Sequence, residues 1–532
     1  MRCLLSAFRP ILFLFAAVCW SQFLTHPTAM AQTETENPKA VRVFLLAGQS
    51  NMQGHGVIDL DDEKDYNGGR GTLKRVFDES PERFRMAHLK DDDGEWKVRD
   101  DVFVWYQTER ELKTGPLTIG YSGYSGKHHF GPELQIGHVL GDAFEEPVLL
   151  IKTAWGGKSL HVDFRPSIDG SEPGEFYIKM LEQLGQAMTE ATQTIPALKD
   201  CQLKLEGVIW QQGWNDMVDQ EATEAYAKNL EVFVAQLRKQ FAAPELPFVY
   251  GELGNSGDQA GESLKKFRLQ QVAFANKKTN NVRYVPTAAF ARDANDSPNR
   301  GHGHHWYGNA ESYFLVGDAL GRAMVDLTVP TTKRKRVLIL GDSISMGYTP
   351  FVKELLGPAV EVYRPKENCQ GTDHGIKNID RWLKQDGGNW DVIHFNFGLH
   401  DLKHVKADTG KNSNSFDDPL QSGPDDYRSQ MKSIVEKLVA TDAKLILCTT
   451  TPVPEGVKPA RDPASPQLYN TLAKEVCVEV GGSKKIVVND LYQFANDRLE
   501  TIQRPKNVHF SKDGSKLMAA EVAKKIRAAL GE

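Results

Sequence analysis

The chain has 532 residues, too many for one ordinary hydrophobic core, so two or three domains are expected. Its 40% hydrophobic and 25% charged residues are those of a soluble globular protein. A formal net charge of -6 argues against a general affinity for nucleic acid or anionic membranes.

In chain order, residues 1–31 have the pattern of a signal peptide: Arg2 and Arg9, an apolar stretch from Ile11 to Phe23, and Ala29-Met30-Ala31 as a small-x-small cleavage site. The stretch is short for a membrane span, and no later segment is long and apolar enough to be one, so a periplasmic or secreted protein is expected. Ala16-Ala17-Val18 before Cys19 is a poor lipobox. Residues 32–40 are polar. The run Val41 to Ala47 predicts a strand, as do Val148 to Lys152, Gly207 to Trp210 and Phe248 to Glu252, with amphipathic helices over Phe176 to Ala191 and Thr223 to Phe241. Leu327 to Thr332 breaks the pattern and meets the basic run Lys333 to Arg336, read as a solvated linker entering a strand. Strand patterns resume at Val337 to Leu340, Val360 to Tyr363, Val392 to Phe397, Lys444 to Thr449 and Ile486 to Asn489, with a helix over Tyr427 to Thr441. Near-continuous apolar strands alternating with helices imply an α/β fold with a parallel sheet covered on both faces, its active sites beyond the carboxyl ends of the strands. Cys201, Cys369, Cys448 and Cys477 lack any metal or disulfide spacing, and Cys448 reads as a small buried hydrophobe.

A motif repeats at both strand ends. Gly48-Gln49-Ser50-Asn51-Met52 follows the first strand, and Gly341-Asp342-Ser343 follows Val337 to Leu340. A Ser at a strand-to-helix turn becomes a nucleophile when a His takes its proton and fixed donors receive the oxyanion. Gly-Gln-Ser-Asn-Met-Gln-Gly resembles the nucleophile block of sialate O-acetylesterases and carbohydrate esterase family 6, within the SGNH hydrolases. Two further blocks look like that family's in order: Ala154 to Leu160, and Trp210-Gln211-Gln212-Gly213-Trp214-Asn215-Asp216. The resemblance implies Ser50 as nucleophile and Gly157 with Gln212 or Asn215 as oxyanion donors. Of three histidines in Gly301-His302-Gly303-His304-His305-Trp306, it points to His305 as base, with His304 as runner-up. The spacing of the three does not suit a metal site. The family's Asp three residues before the base is replaced by His302, leaving Asp293, Asp296 or a backbone carbonyl to orient the ring.

The second set resembles GDSL-type SGNH hydrolases: Ser343 as nucleophile, Gly371 of Asn368-Cys369-Gln370-Gly371-Thr372 as oxyanion donor, and His509 of Asn507-Val508-His509-Phe510 as base. In Gly398-Leu399-His400-Asp401, His400 stands where the family has Asn, and a neutral imidazole still donates one hydrogen bond. Lys506 stands where the orienting Asp belongs, leaving Asp490 or a backbone carbonyl for that task. The two resemblances imply tandem SGNH-hydrolase (flavodoxin-like) domains over 41–327 and 335–532. They imply an exported carbohydrate O-acetylesterase acting through an acetyl-enzyme, without cofactor or metal. Trp155, Trp210 and Trp306 are candidates equally for sugar-stacking faces and for aromatic packing near a core. A carbohydrate-binding protein with degenerate hydrolase domains and a lipase- or thioesterase-like hydrolase remain as alternatives. The acetylated sugar and the oligomeric state are not written in the sequence.

Overall fold

The computed structural model describes residues 39–80, 83–168, 170–482 and 484–531, so the expected signal peptide lies outside the described residues. Continuous apolar runs form two sheets. The first contains β1 (Ala40–Gly48), β2 (Val102–Gln107), β3 (Leu112–Pro116), β4 (Val148–Ala154), β5 (Gln202–Gln211), β6 (Phe248–Gly251) and β7 (Val282–Val285). They stand in the order β3-β2-β4-β1-β5-β6-β7. All neighbours are parallel except β2 and β3, which pair antiparallel. The sequence pattern led to a purely parallel sheet. The departure follows from the short link Thr108 to Glu111, which allows a hairpin but no crossover.

The second sheet is wholly parallel: β8 (Lys335–Leu340), β9 (Val360–Tyr363), β10 (Val392–Phe395), β11 (Lys444–Cys448) and β12 (Val487–Asn489), in the order β9-β8-β10-β11-β12. Helices cover both faces of both sheets. In the first domain, Glu175–Thr194 and Gln220–Gln240 pack on one face, and Glu133–Gly141 and Ala310–Thr328 on the other. Val43, Phe44, Leu45 and Leu46 of β1 are fully buried, each worth about 1.5–3 kcal/mol of transfer free energy. Because β1 and β8 each have a neighbour on either side, the crevice beyond their carboxyl ends opens where the strand order reverses.

The domains are joined through side chains. Phe84, from the first, is buried in the core of the second, its ring edge-on to Phe351 at 6.0 Å and under the Lys516 ammonium at 5.1 Å. Arg85 pairs with Glu354, Arg527 with Asp142 at 3.2 Å, and Lys524 with Asp92 at 2.6 Å. The basic run is not loosely solvated. Arg334 meets Asp326, Lys335 meets Glu145, and Arg336 lies over the rings of Tyr363 and Trp390. Among the described residues the four cysteines are free thiols, and no helix is long and apolar enough to cross a membrane.

Candidate active sites

In the first domain β1 ends at Gly48, whose φ of +151° and whose approach to Gln211 admit no side chain: a Cβ there would lie 2.1 Å from the Gln211 carbonyl oxygen. The chain then turns into the short helix Ser50–Gln53. Lys152, fully buried on β4, holds the far end of that turn by donating to the Gln53 carbonyl at 3.0 Å and pairing with Glu133 at 2.7 Å. Gly156 faces the serine, since a Cβ on it would stand 3.8 Å from Ser50 Cβ.

Gln49 bridges the blocks, accepting from the Gly213 N–H at 2.9 Å and reaching Asn215 Oδ1 at 3.5 Å. Asn215 Nδ2 donates to the Gly157 carbonyl at 2.9 Å, and among the described residues its second N–H has no acceptor. Gln212 differs from expectation. It is buried, and its amide nitrogen donates to the Lys158 carbonyl at 3.0 Å and to Asp216 at 2.6 Å. Both hydrogens are therefore engaged in holding loops together, and none is free for an oxyanion. Asp216 also accepts from the N–H groups of Leu160 and His161 at 2.8 and 2.9 Å. Burial pushes its carboxyl up to about 6.

The histidine loop docks through Asn51, whose Nδ2 donates to the His304 carbonyl at 3.1 Å and whose Oδ1 accepts from Tyr313 at 2.8 Å. Among the described residues neither Ser50 Oγ nor the His305 ring has a hydrogen-bond partner, so the structure does not join this serine to an imidazole. His305 is instead held by its face: the ring of His55 stacks on it at 3.6 Å and 19°, and Tyr124 OH bonds His55 Nδ1 at 2.8 Å. Burial, then His304 and His302, push His305 down to about 3 and keep it neutral. His304 also packs against His305, 4.0 Å between ring centroids. Asp293 caps a short turn through Asn295 N, and neither it nor Asp296 reaches the ring. Trp155, Trp210 and Trp306 are all at most 3% exposed and belong to the core, which decides for packing over sugar faces. The half-buried Trp214, 5.6 Å from the His304 ring, is the aromatic that borders the site.

The second constellation is assembled. His509 Nε2 lies 2.9 Å from Ser343 Oγ. His509 Nδ1 lies 2.8 Å from Asn507 Oδ1, which also accepts the His509 backbone N–H at 2.9 Å. That backbone donor fixes which end of the amide faces the ring, so the oxygen accepts a hydrogen bond from Nδ1–H and Nε2 is left bare to accept from the serine. Asn507 thus occupies the orienting place for which Asp490 was a candidate. Asp490 binds Thr449, Lys474 and the Gln493 N–H instead, and Lys506 points to solvent. Burial, then Arg504 and Arg461, lower the basicity of His509.

Around Ser343, the N–H groups of Ser343 and Gly371 have no acceptor among the described residues, the arrangement an oxyanion hole needs. His400 Nδ1 is buried without a partner, and burial pushes the ring down to about 3, so it is a neutral group. Asp401 repeats the device of Asp216: it accepts from Thr372 N at 2.7 Å and Thr372 Oγ1 at 2.5 Å, and burial raises it to about 6. Among the described residues no cluster of His, Cys, Asp or Glu is arranged to hold a metal ion.

A family model described as carbohydrate esterase, sialic acid-specific acetylesterase matches residues 40–326. The chain belongs to that family. A second model, GDSL-like lipase/acylhydrolase, matches residues 337–522 of this sialic acid-specific acetylesterase family member. A probable carbohydrate esterase of Arabidopsis thaliana is 21% identical over 241 residues, covering 44% of this chain and 79% of that protein. Among solved structures, a carbohydrate acetylesterase from Xanthomonas citri is 15% identical, covering 54% of this chain and 56% of its own, with a TM-score of 0.33. A lipase/acylhydrolase from Enterococcus faecalis is 20% identical, covering 36% of this chain and 96% of its own, with a TM-score of 0.30.

Proposed function

We propose that this chain is an exported serine esterase that removes O-acetyl groups from carbohydrate through an acetyl-enzyme. Residues 1–31 are its cleaved leader, and 41–327 and 335–532 its two hydrolase domains. The observation that carries the reading is the line Ser343 Oγ, His509, Asn507, with contacts of 2.9 and 2.8 Å. Ser343 attacks the acetyl carbonyl while His509 Nε2 takes its proton. Asn507 Oδ1 accepts the hydrogen bond of Nδ1–H and holds the imidazolium as it forms. The oxyanion is met by the Ser343 and Gly371 N–H groups with His400 beside them. His509 then protonates the leaving sugar oxygen, and water, deprotonated by the same ring, releases acetate. In the first domain Ser50 and His305 take these parts, with the Gly157 N–H and Asn215 at the oxyanion. Alignment of Ser50 with His305 there accompanies substrate binding.

Acetate release from acetylated xylan and from O-acetyl sialic acid tests this in wild type, Ser50→Ala, Ser343→Ala and the double variant. Partial loss in each and abolition in the double is the expected result; an unchanged double variant overturns the reading. The lone Ser50 hydroxyl favours a second possibility for the first domain, glycan binding without catalysis. In that case Ser50→Ala leaves acetate release untouched.

A further inference from the structure

One aromatic beside the first site keeps its surface. Trp214 packs partly against the core but is not covered as Trp155, Trp210 and Trp306 are. Among the described residues no acceptor meets its indole N–H. Its position is fixed from both flanks. The N–H groups of Gly213 and Asn215 bond Gln49 Oε1 at 2.9 and 3.5 Å, and Gln49 precedes Ser50 in the chain. Asn215 Nδ2 ties the same turn to the Gly157 carbonyl at 2.9 Å. The Trp214 ring itself lies 5.6 Å from that of His304, the neighbour of His305. Trp214 therefore stands where the nucleophile, oxyanion and histidine loops meet.

The apolar surface continues outward. The Val218 N–H bonds the Trp214 carbonyl at 3.2 Å, closing the helical turn Trp214–Met217 and putting both side chains on one face. Val218 is 65% exposed. Four residues of helix advance about 6 Å, roughly the width of a sugar ring. An indole face with an unbonded N–H, followed one ring-width on by exposed methyls, suits a ligand of mixed C–H and O–H surface. The chemistry decides which half of the ester lies there. His305 returns its proton to the leaving oxygen, so the alcohol half departs beside the histidine loop, against which the Trp214 ring packs. An acetyl group is too short to span Trp214 and Val218, whereas a glycan chain covers both.

We propose that Trp214 determines the specificity of the first site, its indole receiving the ring of the leaving sugar and Val218 the next ring of the chain. This rests on the reading of Ser50 and His305 as the catalytic pair there.

The test uses the full chain carrying Ser343→Ala, with acetylated xylotriose, acetylated xylose and 4-nitrophenyl acetate. The parent is expected to favour the trisaccharide over the monosaccharide by about tenfold in kcat/KM, chiefly through KM. Trp214→Ala raises KM for the trisaccharide about tenfold more than for the nitrophenyl ester, and Trp214→Phe, which keeps an aromatic face, loses much less. Val218→Asn, at an exposed position outside the core, removes only the advantage of the trisaccharide, and it reads the subsite even if Trp214→Ala is unfolded. Val478→Ala, 81% exposed but in the second domain, changes nothing. A parent without preference for the trisaccharide overturns the proposal. So does an equal fall of kcat on all three esters in Trp214→Ala, which marks a ring that only props the histidine loop. A loss larger on 4-nitrophenyl butyrate than on the sugar acetates also overturns it, by placing the acyl half on the indole. If the parent releases acetate from none of them, the esterase reading of Ser50 fails. Calorimetry with xylotriose, with and without Trp214→Ala, then decides the subsite: weaker binding without the indole upholds it, and equal or absent binding overturns it.

Discussion

Replacing Asn507 by Ala removes one oxygen that accepts two hydrogen bonds, from the His509 ring at 2.8 Å and from its backbone at 2.9 Å. The ring bond decides the tautomer, and losing a neutral bond of about 1 kcal/mol lets the proton move to Nε2 in most molecules. In the transition state the same bond is made to an imidazolium and is worth about 1.5–3 kcal/mol. Together these give about 2.5–4 kcal/mol, or a fall in kcat of about 10²–10³. The measurement is kcat and KM on a chromogenic acetate ester in a Ser50→Ala background, with KM expected to hold. Asn507→Asp supplies a charge that favours the imidazolium, so His509 becomes more basic and the acid limb of the pH–rate profile moves to higher pH. An alanine variant within threefold of its parent in kcat would refute the assignment of Asn507.

Other outcomes follow from packing and charge. Phe84→Ala opens a cavity in the second domain's core and should lower stability by about 3–5 kcal/mol in denaturant unfolding, although the residue belongs to the first domain. Lys152→Met leaves the buried Glu133 carboxylate unpaired and should lose about 3–5 kcal/mol, with Lys152→Met/Glu133→Leu recovering much of it in thermal unfolding. His55→Ala, measured in a Ser343→Ala background, should lower first-site kcat while His55→Phe, which keeps a stacking face, retains most of it; equal loss in both removes the stacking argument. Because burial and two arginines lower the basicity of His509, second-site activity should persist below pH 6.5 and fall only on further acidification.

Much of the sheet architecture was legible because parallel strands are written as apolar runs. Val360–Tyr363 appears with the expected ends, and β4, β5 and β8 extend the expected cores by a few residues. The hairpin β2–β3 passed unread although Val102-Phe103-Val104-Trp105-Tyr106 is apolar throughout, since attention to strand–helix alternation hides a strand that returns directly. For the three tryptophans the sequence leaves sugar stacking and core packing open, and burial decides for the core, with Trp210 among buried neighbours on its strand. Asn507 was missed because the family pattern directs attention three residues before the base. The signal that finds it is local: an Asn side chain bonding the backbone two residues on is an Asx turn, and here the same oxygen also meets the ring. His55 against His305 is a contact between segments 250 residues apart in the numbering, and no local pattern encodes it.

The seam at Phe84 makes the two halves separate in sequence but joint in folding. A chain cut near residue 330 would leave one half with a bare phenylalanine and Arg85 without Glu354, and the other with an open core and Arg527 without Asp142. Neither fragment would report its own chemistry, because each would first report the damage. Gains in either half therefore stabilise both, and a substitution harmful to one domain is felt by the other without any signal passing between the sites.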